Sequence, residues 1–235
     1  MNALEIDGVW KYFGDFPALR DIGFKVTAGS VVALLGRNGA GKTTLLRILA
    51  GLAKPSKGSV RIYGSEVREE PTRRRIGVLG HGISLYDELT ATENLVLFGR
   101  LYGIDDPAKR AHQWLERTGL DRVRDGLVRE FSRGMRQRLA VARTFIHDPE
   151  LLLFDEPFTS LDDRAIAVLQ SLVIEAQQRG CTIVMSTHQL REAIELSTHV
   201  ALIRKGQLAY SGERRQEMLD DPGWLYRTFE EEGPS

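Results

Sequence analysis

The sequence has few features that could cross-link the chain or anchor it in a membrane. The 235 residues include one cysteine, Cys181, so a disulfide within the chain is excluded. Its place before the apolar run 183–185 predicts a buried structural thiol. No segment approaches the roughly 18 uninterrupted apolar residues of a membrane helix, and residues 1–11 lack the form of a signal peptide. We therefore expect a soluble, cytoplasmic chain that needs another polypeptide for any role in a membrane.

The sequence also lacks an excess of either charge. Lys and Arg together number 32, as do Asp and Glu, so the formal net charge is zero. This balance gives no general attraction to nucleic acid or anionic lipid, and we expect no nucleic-acid partner. The run Arg73-Arg74-Arg75 favours a solvated face, with a nucleic-acid patch as the weaker alternative.

A glycine-rich segment between an apolar strand and a helix is the most informative feature that is present. It reads Gly36-Arg37-Asn38-Gly39-Ala40-Gly41-Lys42-Thr43 and fits the phosphate-loop pattern G-x-x-x-x-G-K-[ST]. Glycines let successive N–H groups turn inward as an anion nest, and the following helix adds its positive end. In this pattern Lys42 reaches the β- and γ-phosphates and the hydroxyl of Thr43 holds Mg²⁺. We expect Thr44, the next residue, to bind the nucleotide as well. A chance glycine turn is disfavoured because both flanks fit, so the segment predicts binding of a nucleoside triphosphate.

Strands and helices alternate along the chain except in one middle segment. Apolar runs predict strands in the first 27 residues, at 31–35, 59–64, 76–79, 151–154 and 182–185, and in a hairpin of 200–203 with 207–210. From about Gly82 to His147 the pattern is helical, with helix starts at Thr90, Asp106 and Ser132. We predict one α/β domain, 1–235, with an α/β core and β subdomain at 1–81 and 148–235 and a helical subdomain at 82–147.

Two acidic residues follow the buried strand 151–154. The last side chains of such a strand lie at the carboxyl edge of the sheet, where open α/β sheets bind ligands. There Asp155 could hold Mg²⁺, and Glu156 could act on an attacking water. A surface acidic pair is the alternative, which the preceding phosphate loop disfavours.

A second candidate anion site lies at the helix start near Ser132. The segment Phe131-Ser132-Arg133-Gly134-Met135 offers a hydroxyl, a basic side chain and helix N-terminal N–H groups. Because the chain already has one phosphate loop, a second site suggests that two copies meet and each closes the nucleotide of the other.

With these motifs, nearly the whole sequence resembles an ATP-binding cassette (ABC) ATPase subunit. Segment 131–135 is similar to the signature motif Leu-Ser-Gly-Gly-Gln, from which Arg133 and Met135 depart. The resemblance implies that Ser132 and Gly134 bind the γ-phosphate held by a partner subunit, and that Ser160-Leu161-Asp162 is the D-loop linking the two sites. It also implies a P-loop NTPase sheet of the ABC ATPase type with an N-terminal antiparallel β region.

The resemblance assigns further site residues. His188 is similar to the switch histidine that contacts the γ-phosphate, although a lone histidine is more often structural. Phe13, before Gly14, fits the aromatic residue that stacks on adenine, with Tyr12 second and a core aromatic as the alternative. His81 stands where the family usually carries a glutamine that touches Mg²⁺, for which an imidazole is a poorer direct ligand.

The resemblance further implies a transporter motor that uses ATP and Mg²⁺. Two subunits close head-to-tail, and Glu156 acts as general base or orients the attacking water. A transmembrane permease on a separate chain docks near His81 and the helical segment, where Leu85, Tyr86, Leu95 and Phe98 are available. The ATPase is therefore expected at the inner face of the cell membrane as a peripheral subunit.

The sequence says less about the transported cargo. The signature segment, and the lack of an added C-terminal regulatory domain, favour export. The run Leu79-Gly80-His81 is similar to the haem-exporter ATPase of cytochrome c maturation, so haem or a maturation component is the first expectation. Drug, lipid or polysaccharide export are alternatives. A soluble family member acting in DNA repair or on ribosomes is disfavoured by the single cassette without a coiled-coil arm, and a P-loop kinase or GTPase by residues 132–134 and His188.

Overall fold

The computed structural model describes residues 1–80, 85–159 and 161–230, the side chain of Glu230 excepted. His81 and Ser160, both predicted to belong to the nucleotide site, lie outside these residues. Two β-sheets and the surrounding helices form the described structure, and their elements are numbered along the chain.

The first sheet is antiparallel and is formed by residues near the N-terminus. Its strand order is β2-β1-β4-β5, where β1 is Asn2–Phe13, β2 is Phe16–Thr27, β4 is Lys57–Ile62 and β5 is Ser65–Glu66. β1 and β2 form a hairpin whose last pair is Phe13 and Phe16. This sheet confirms the predicted antiparallel β region.

The second sheet has six strands and is largely parallel. Its order is β10-β9-β3-β8-β7-β6, with β3 at Val31–Leu35, β6 at Ile76–Leu79, β7 at Leu151–Asp155, β8 at Thr182–Ser186, β9 at His199–Arg204 and β10 at Gln207–Glu213. Every residue of β3, β7 and β8 is buried. A parallel sheet covered on both faces requires this, which explains why those strands are uninterrupted apolar runs. β9 and β10 pair antiparallel and confirm the predicted hairpin.

Helices cover the parallel sheet and fill the middle of the chain. They are α1 (Lys42–Leu49), α2 (Glu70–Arg74), α3 (Ala91–Leu101), α4 (Pro107–Arg117), α5 (Arg133–Phe145), α6 (Asp163–Gln178), α7 (Leu190–Leu196), α8 (Gln216–Asp220) and α9 (Trp224–Glu230). Thr90 starts α3 with the predicted capping box: its hydroxyl accepts from the backbone N of Glu93 at 3.1 Å, and the Glu93 carboxylate accepts from the backbone N of Thr90 at 2.8 Å. Asp106 and Ser132 cap α4 and α5, so these predicted helix starts are confirmed.

The sequence pattern did not indicate the short helices α2, α7, α8 and α9. Helices of five to seven residues are too short to show a clear period, and tertiary packing supplies most of their stability. The strand predicted at 59–64 begins earlier, because Lys57 already pairs with Trp10 at the start of β4.

Apolar side chains form two clusters, one on each face of the parallel sheet. One lies between this sheet, α1 and the antiparallel sheet, and the other joins the sheet to the helices α3–α6. Of the helices predicted as a subdomain, α5 packs directly on β6, and α3 and α4 pack on α5 and on each other. Their exact division from the core at residues 82 and 147 stays a prediction.

The C-terminal half of α5 binds the outer edge of the sheet at β6. The Arg143 guanidinium donates to the carbonyl of Val78 at 2.9 Å, and the Thr144 hydroxyl donates to the same carbonyl at 3.2 Å. Nε2 of His147 lies 3.2 Å from the carbonyl of Ile76. These side chains satisfy carbonyl groups that an edge strand leaves without a strand partner.

None of the helices in the described part of the chain combines the length and the apolar character needed to cross a bilayer.

Candidate nucleotide site

The glycine-rich loop that joins β3 to α1 is pressed against neighbouring backbone. Gly36 has a φ of 145° and Gly41 a φ of 111°, conformations that residues with a side chain rarely adopt. A Cβ on Gly36 would lie 2.3 Å from the carbonyl oxygen of Ile203, and one on Gly41 would lie 2.7 Å from a methyl group of Leu19. These two positions therefore require glycine for both conformation and space.

The loop ends in a helix start that suits an anion. Gly41 is the N-cap of α1 and has no side chain that could bond to the first N–H groups of the helix. Arg37, Asn38 and Gly39 are exposed at the loop's outer side, whereas Ala40 is buried. Thr43 is exposed and Thr44 half-buried in the first turn of α1. Backbone N–H groups and the positive end of the helix therefore face the same region, as a phosphate-binding loop requires.

Lys42 is folded back over this loop. Its ammonium nitrogen donates to the carbonyl of Gly36 at 2.7 Å and to that of Arg37 at 3.3 Å. Burial lowers the pKa of Lys42 below its ordinary value, and the charges of Glu156 and Asp155 oppose that shift. The structure thus brings the predicted phosphate-binding lysine near both predicted carboxylates.

Asp155 lies at the carboxyl end of β7 and is nearly inaccessible, at 8% exposure. Its carboxylate accepts a 2.5 Å hydrogen bond from the hydroxyl of Ser186, which ends the neighbouring strand β8. Thr43 and Asp155 line a common cavity. Carboxylate and hydroxyl oxygens are the hard ligands that Mg²⁺ prefers, so this donor set fits that ion.

Glu156, the next residue, has a strained backbone and a defined side-chain partner. Its φ is 54°, in the left-handed region that non-glycine residues seldom occupy, and its backbone N donates to the carbonyl of Ser186 at 2.8 Å. Its carboxylate accepts from the backbone N of His188 at 3.2 Å and lies 2.8 Å from Nδ1 of the same histidine. An ionised carboxylate only accepts, so Nδ1 carries the proton and donates it. The predicted base and the predicted switch histidine are therefore direct partners.

The predicted second anion site occupies the N-terminus of α5. Ser132 is exposed and its hydroxyl accepts from the backbone N of Met135 at 3.2 Å, while Gly134 in the first turn is half-buried. Within the described residues, Ser132 makes no recorded hydrogen bond with the phosphate loop. Asp162 caps α6 by accepting from the backbone N of Ala165 at 2.8 Å. In the described part of the chain, the start of α5 is thus not hydrogen-bonded to the phosphate loop.

Phe13 lies at the tip of the β1–β2 hairpin with 58% of its surface exposed. The same hairpin approaches the loop through Leu19, the residue whose methyl group faces Gly41. The Lys11 ammonium lies 5.3 Å from the centre of the Phe13 ring. Phe13 is thus an accessible aromatic rather than a core residue, as the predicted contact with adenine requires.

Sequence reasoning missed several residues that hold this site in place. Ser186 binds Asp155, the Gln137 side-chain amide donates to the carbonyl of Pro157 at 3.1 Å, and the Tyr226 hydroxyl accepts from the backbone N of Gly36 at 3.0 Å. A polar residue at the end of an apolar strand could have pointed to Ser186. Gln137 and Tyr226 reach the site from distant positions in the chain and leave no local signal.

A phosphate loop after an interior parallel strand, with two carboxylates and a histidine at the ends of the neighbouring strands, defines a P-loop nucleoside triphosphatase. Residues 19–159 match the ABC transporter family, and the chain belongs to this family. It is an ATP-binding subunit that hydrolyses ATP in coupling to transport.

Individual relatives agree with this family. The ABC transporter ATP-binding protein NatA of Bacillus subtilis strain 168 is 40% identical over 200 residues, which are 83% of this chain and 81% of that protein. The daunorubicin/doxorubicin resistance ATP-binding protein DrrA of Streptomyces peucetius is 38% identical over 215 residues, covering 90% of this chain and 65% of that protein.

A solved structure shows the same fold. The dimeric post-hydrolysis state of the ATP-binding cassette MJ0796, bound to ADP and phosphate, superposes with a TM-score of 0.80 at 26% identity. The match covers 90% of this chain and 99% of that chain. The predicted fold class, an ABC-type P-loop sheet, is confirmed.

Proposed function

We infer that this chain hydrolyses ATP at a site shared by two subunits and thereby drives export through a separate membrane permease. The observation that carries the inference is the convergence of Lys42, Asp155, Glu156 and His188 at one edge of the parallel sheet. A cation, a buried carboxylate and a carboxylate–histidine pair are the groups that phosphoryl transfer to water needs.

The residues near the phosphate loop would bind the triphosphate. Lys42 and the N–H groups at the start of α1 neutralise phosphate charge, and Thr43 with Asp155 would hold Mg²⁺. When bound, that ion supplies positive charge to the phosphate oxygens as negative charge develops on them. The Ser186 hydroxyl keeps the Asp155 carboxylate oriented towards the cavity it shares with Thr43.

Glu156 and His188 would act on the attacking water and the γ-phosphate. The Glu156 carboxylate is mostly buried, with 12% exposure, whereas the His188 side chain is 62% exposed. The inner group can therefore receive a proton from water, and the outer imidazole would reach phosphate by exchanging its Nδ1 bond to Glu156 for one to a phosphate oxygen. The left-handed backbone of Glu156 directs its side chain to that position instead of continuing the strand.

The second subunit would supply Ser132 and Gly134. Support comes from their placement at an exposed helix start. Among the described residues, that helix start makes no hydrogen bond to the phosphate loop of the same chain. The solved dimer of a related cassette, bound to ADP and phosphate, supports a paired arrangement. A head-to-tail pair would close each nucleotide between the loop of one subunit and α5 of the other. Asp162 would link the two nucleotide sites, together with Ser160, which is not among the described residues.

The permease would dock beside a cavity between α1, β6 and the helices α3 and α5. This cavity has a volume of about 410 Å³ and is lined by Leu52, Phe98, Tyr102, Arg143 and His147, among others. Of the residues expected at the docking surface, Tyr86 is 52% exposed and Phe98 lines the cavity, but Leu95 is fully buried and belongs to the core. His81 and its predicted roles lie outside the described residues. The peripheral position at the inner membrane face follows from this docking.

Relatives favour drug-type export over haem as the cargo. One relative is named for daunorubicin and doxorubicin resistance, and the match covers 90% of this chain. The expectation of haem export rests on the short run near His81. We therefore propose export of a drug-like, lipid or polysaccharide cargo selected by the permease, with haem as the weaker alternative.

Glu156→Gln tests the hydrolytic role. The amide keeps the size of the side chain but cannot accept the proton, so turnover should fall by about 10²- to 10⁴-fold while MgATP still binds. Glu217→Gln, at an exposed position on α8, is the matched control and should keep full activity. Phosphate release and nucleotide titration measure the two quantities. Unchanged turnover in E156Q would refute the assignment.

Purification with the candidate permease tests the transport role. The chain should copurify with a membrane protein encoded beside it, and not with ribosomes or DNA. The variant Tyr86→Glu, which charges an exposed residue at the proposed docking surface, should weaken that association and leave nucleotide binding unchanged. Association that is indifferent to this change would place the permease elsewhere.

A further inference from the structure

The last helix of the described chain touches the first residue of the phosphate loop. The hydroxyl oxygen of Tyr226, on α9, accepts a 3.0 Å hydrogen bond from the backbone N of Gly36, 190 positions earlier in the chain. We propose that Tyr226 is a positioning residue of the nucleotide site, which holds the phosphate loop in its binding conformation from outside the loop. The proposal rests on the ATP-binding role of this site.

Gly36 is a sensitive point for such a contact. It is buried, and its C=O accepts from the ammonium group of Lys42 at 2.7 Å. Tyr226 thus bonds to the peptide group on one side of the Gly36 Cα, and Lys42 bonds to the peptide group on the other side. The φ and ψ torsions of Gly36, which lie between these two peptide groups, are unusually free because glycine has no side chain. The hydrogen bond from Gly36 to Tyr226 therefore restrains torsions that the residue itself does not restrain. Tyr226 therefore acts on Lys42 through a single residue.

The position of Tyr226 is set by packing against the sheet and not by the loop. Leu225 is fully buried in the core. The Arg204 guanidinium, at the end of β9, donates to the carbonyl of Phe229 at 3.1 Å, and the rings of Tyr210 and Phe229 lie 5.0 Å apart. With these anchors on β9 and β10, α9 can present the hydroxyl at a fixed place.

The bond has a direct consequence for nucleotide affinity. Without the hydroxyl, the buried N–H of Gly36 loses this acceptor, and the loop samples conformations in which Gly36 and Lys42 are displaced. Only the fraction of molecules with the loop in place binds MgATP, so the apparent affinity falls by that fraction. Turnover of bound nucleotide does not change, because the groups at Asp155, Glu156 and His188 are untouched.

Tyr226→Phe tests the proposal, because it removes the hydroxyl and keeps the ring. The dissociation constant for MgATP and the KM should rise about 3- to 10-fold, as the loss of one hydrogen bond allows, with kcat unchanged at saturation. Tyr210→Phe is the matched control: its hydroxyl bonds to the carbonyl of Glu213 at 3.3 Å, and its ring packs on the same helix. This variant should keep wild-type affinity.

Each outcome decides between positioning and a purely structural role. Affinity is measured well below the unfolding midpoint of each protein, so that it reports folded molecules. A rise in the dissociation constant that is confined to Y226F supports the proposal. Equal affinities in Y226F, Y210F and the wild type overturn it, even if Y226F unfolds at a lower temperature. A wild-type chain that binds no MgATP would instead contradict the ATP-binding role.

A second variant covers a failure of Y226F to fold. In 4-aminophenylalanine incorporated at position 226 an amino group replaces the hydroxyl, and its nitrogen is a weak acceptor because its lone pair is delocalised into the ring. The affinity of this protein for MgATP should then lie between that of the wild type and that of a protein whose phosphate loop lacks the bond. Wild-type affinity in this protein would overturn the proposal.

Discussion

Lys42 carries a cationic group into a position that is only 7% exposed. Burial alone favours the neutral amine, and two backbone carbonyls and the charges of Glu156 and Asp155 favour the ammonium form. The arrangement makes Lys42 a fixed partner for phosphate instead of a flexible surface lysine. Its position therefore depends on the loop backbone as much as on its own side chain.

Removing the charge at Lys42 should greatly weaken the binding of MgATP. In Lys42→Ala the triphosphate loses a charge-assisted contact, so we expect the dissociation constant for MgATP to rise about 100-fold or more. Titration calorimetry measures the change. Lys109→Ala, at an exposed position of α4, is the control and should bind as the wild type does. Near-normal affinity in K42A would contradict the role of Lys42.

At the scale of elements, α5 connects most of the parts that function requires. Its N-terminus carries Ser132, its first turns reach the segment after Glu156 through Gln137, and its last turns bind β6 through Arg143 and Thr144. A displacement of α5 would therefore move Ser132 and the neighbourhood of Glu156, the proposed catalytic carboxylate, together. This is a physical basis for coupling between the α3 side of the cavity, lined by Phe98 and Tyr102, and its nucleotide side, lined by Thr43 and Asp155.

Just beyond the end of α5, His147 makes this contact sensitive to acid. Its ring stacks on that of Tyr102 with centres 3.7 Å apart, and burial lowers its pKa from 6.5 to about 4. The unfolded chain takes up a proton near pH 6.5 that the folded chain does not, so the stability contributed by neutral His147 falls as pH drops from 6.5 to about 4.

His147→Gln should reduce the acid sensitivity of folding. The loss of unfolding free energy between neutral pH and pH 5 should be about 2 kcal/mol smaller than in the wild type. Urea denaturation at the two pH values measures it. His112→Gln, at an exposed position on α4, provides the control and should follow the wild type. An H147Q protein with the pH dependence of the wild type would show that the histidine is not buried as described.

At the scale of the whole molecule, the chain carries two proposed parts of a nucleotide site that share no hydrogen bond among the described residues. The phosphate loop follows β3, whereas Ser132 and Gly134 stand at the start of α5. Closure between two subunits explains why both parts exist on one chain.

Dimerisation of the hydrolysis-deficient protein tests this arrangement. E156Q should form dimers with saturating MgATP, whereas E156Q combined with Gly134→Asp should bind nucleotide and remain monomeric, because the added carboxylate repels the γ-phosphate. Light scattering after size-exclusion chromatography distinguishes the two states. E156Q that stays monomeric when saturated, both alone and beside its permease, would remove the basis for a shared site.

Local patterns were enough to predict the class of fold and the chemistry of the phosphate loop. The strand, glycines and helix around Lys42 are contiguous, and so are the apolar strand and acidic pair at Asp155 and Glu156. Backbone conformation, helix caps and strand burial depend mainly on neighbours in the chain. The capping box at Thr90 and the hairpin at 199–213 were predictable for the same reason.

Only the tertiary structure decided which distant side chains support these groups. Ser186 reaches Asp155, Gln137 reaches Pro157 and Tyr226 reaches Gly36 across 20 to 190 positions of the chain. Such contacts depend on how strands are ordered in the sheet and where short helices pack, and neither is encoded by a local period. The short helix α9 is the clearest case, because the buried Leu225 and the bond from Arg204 hold it in place, while its own seven residues are too few to specify a helix.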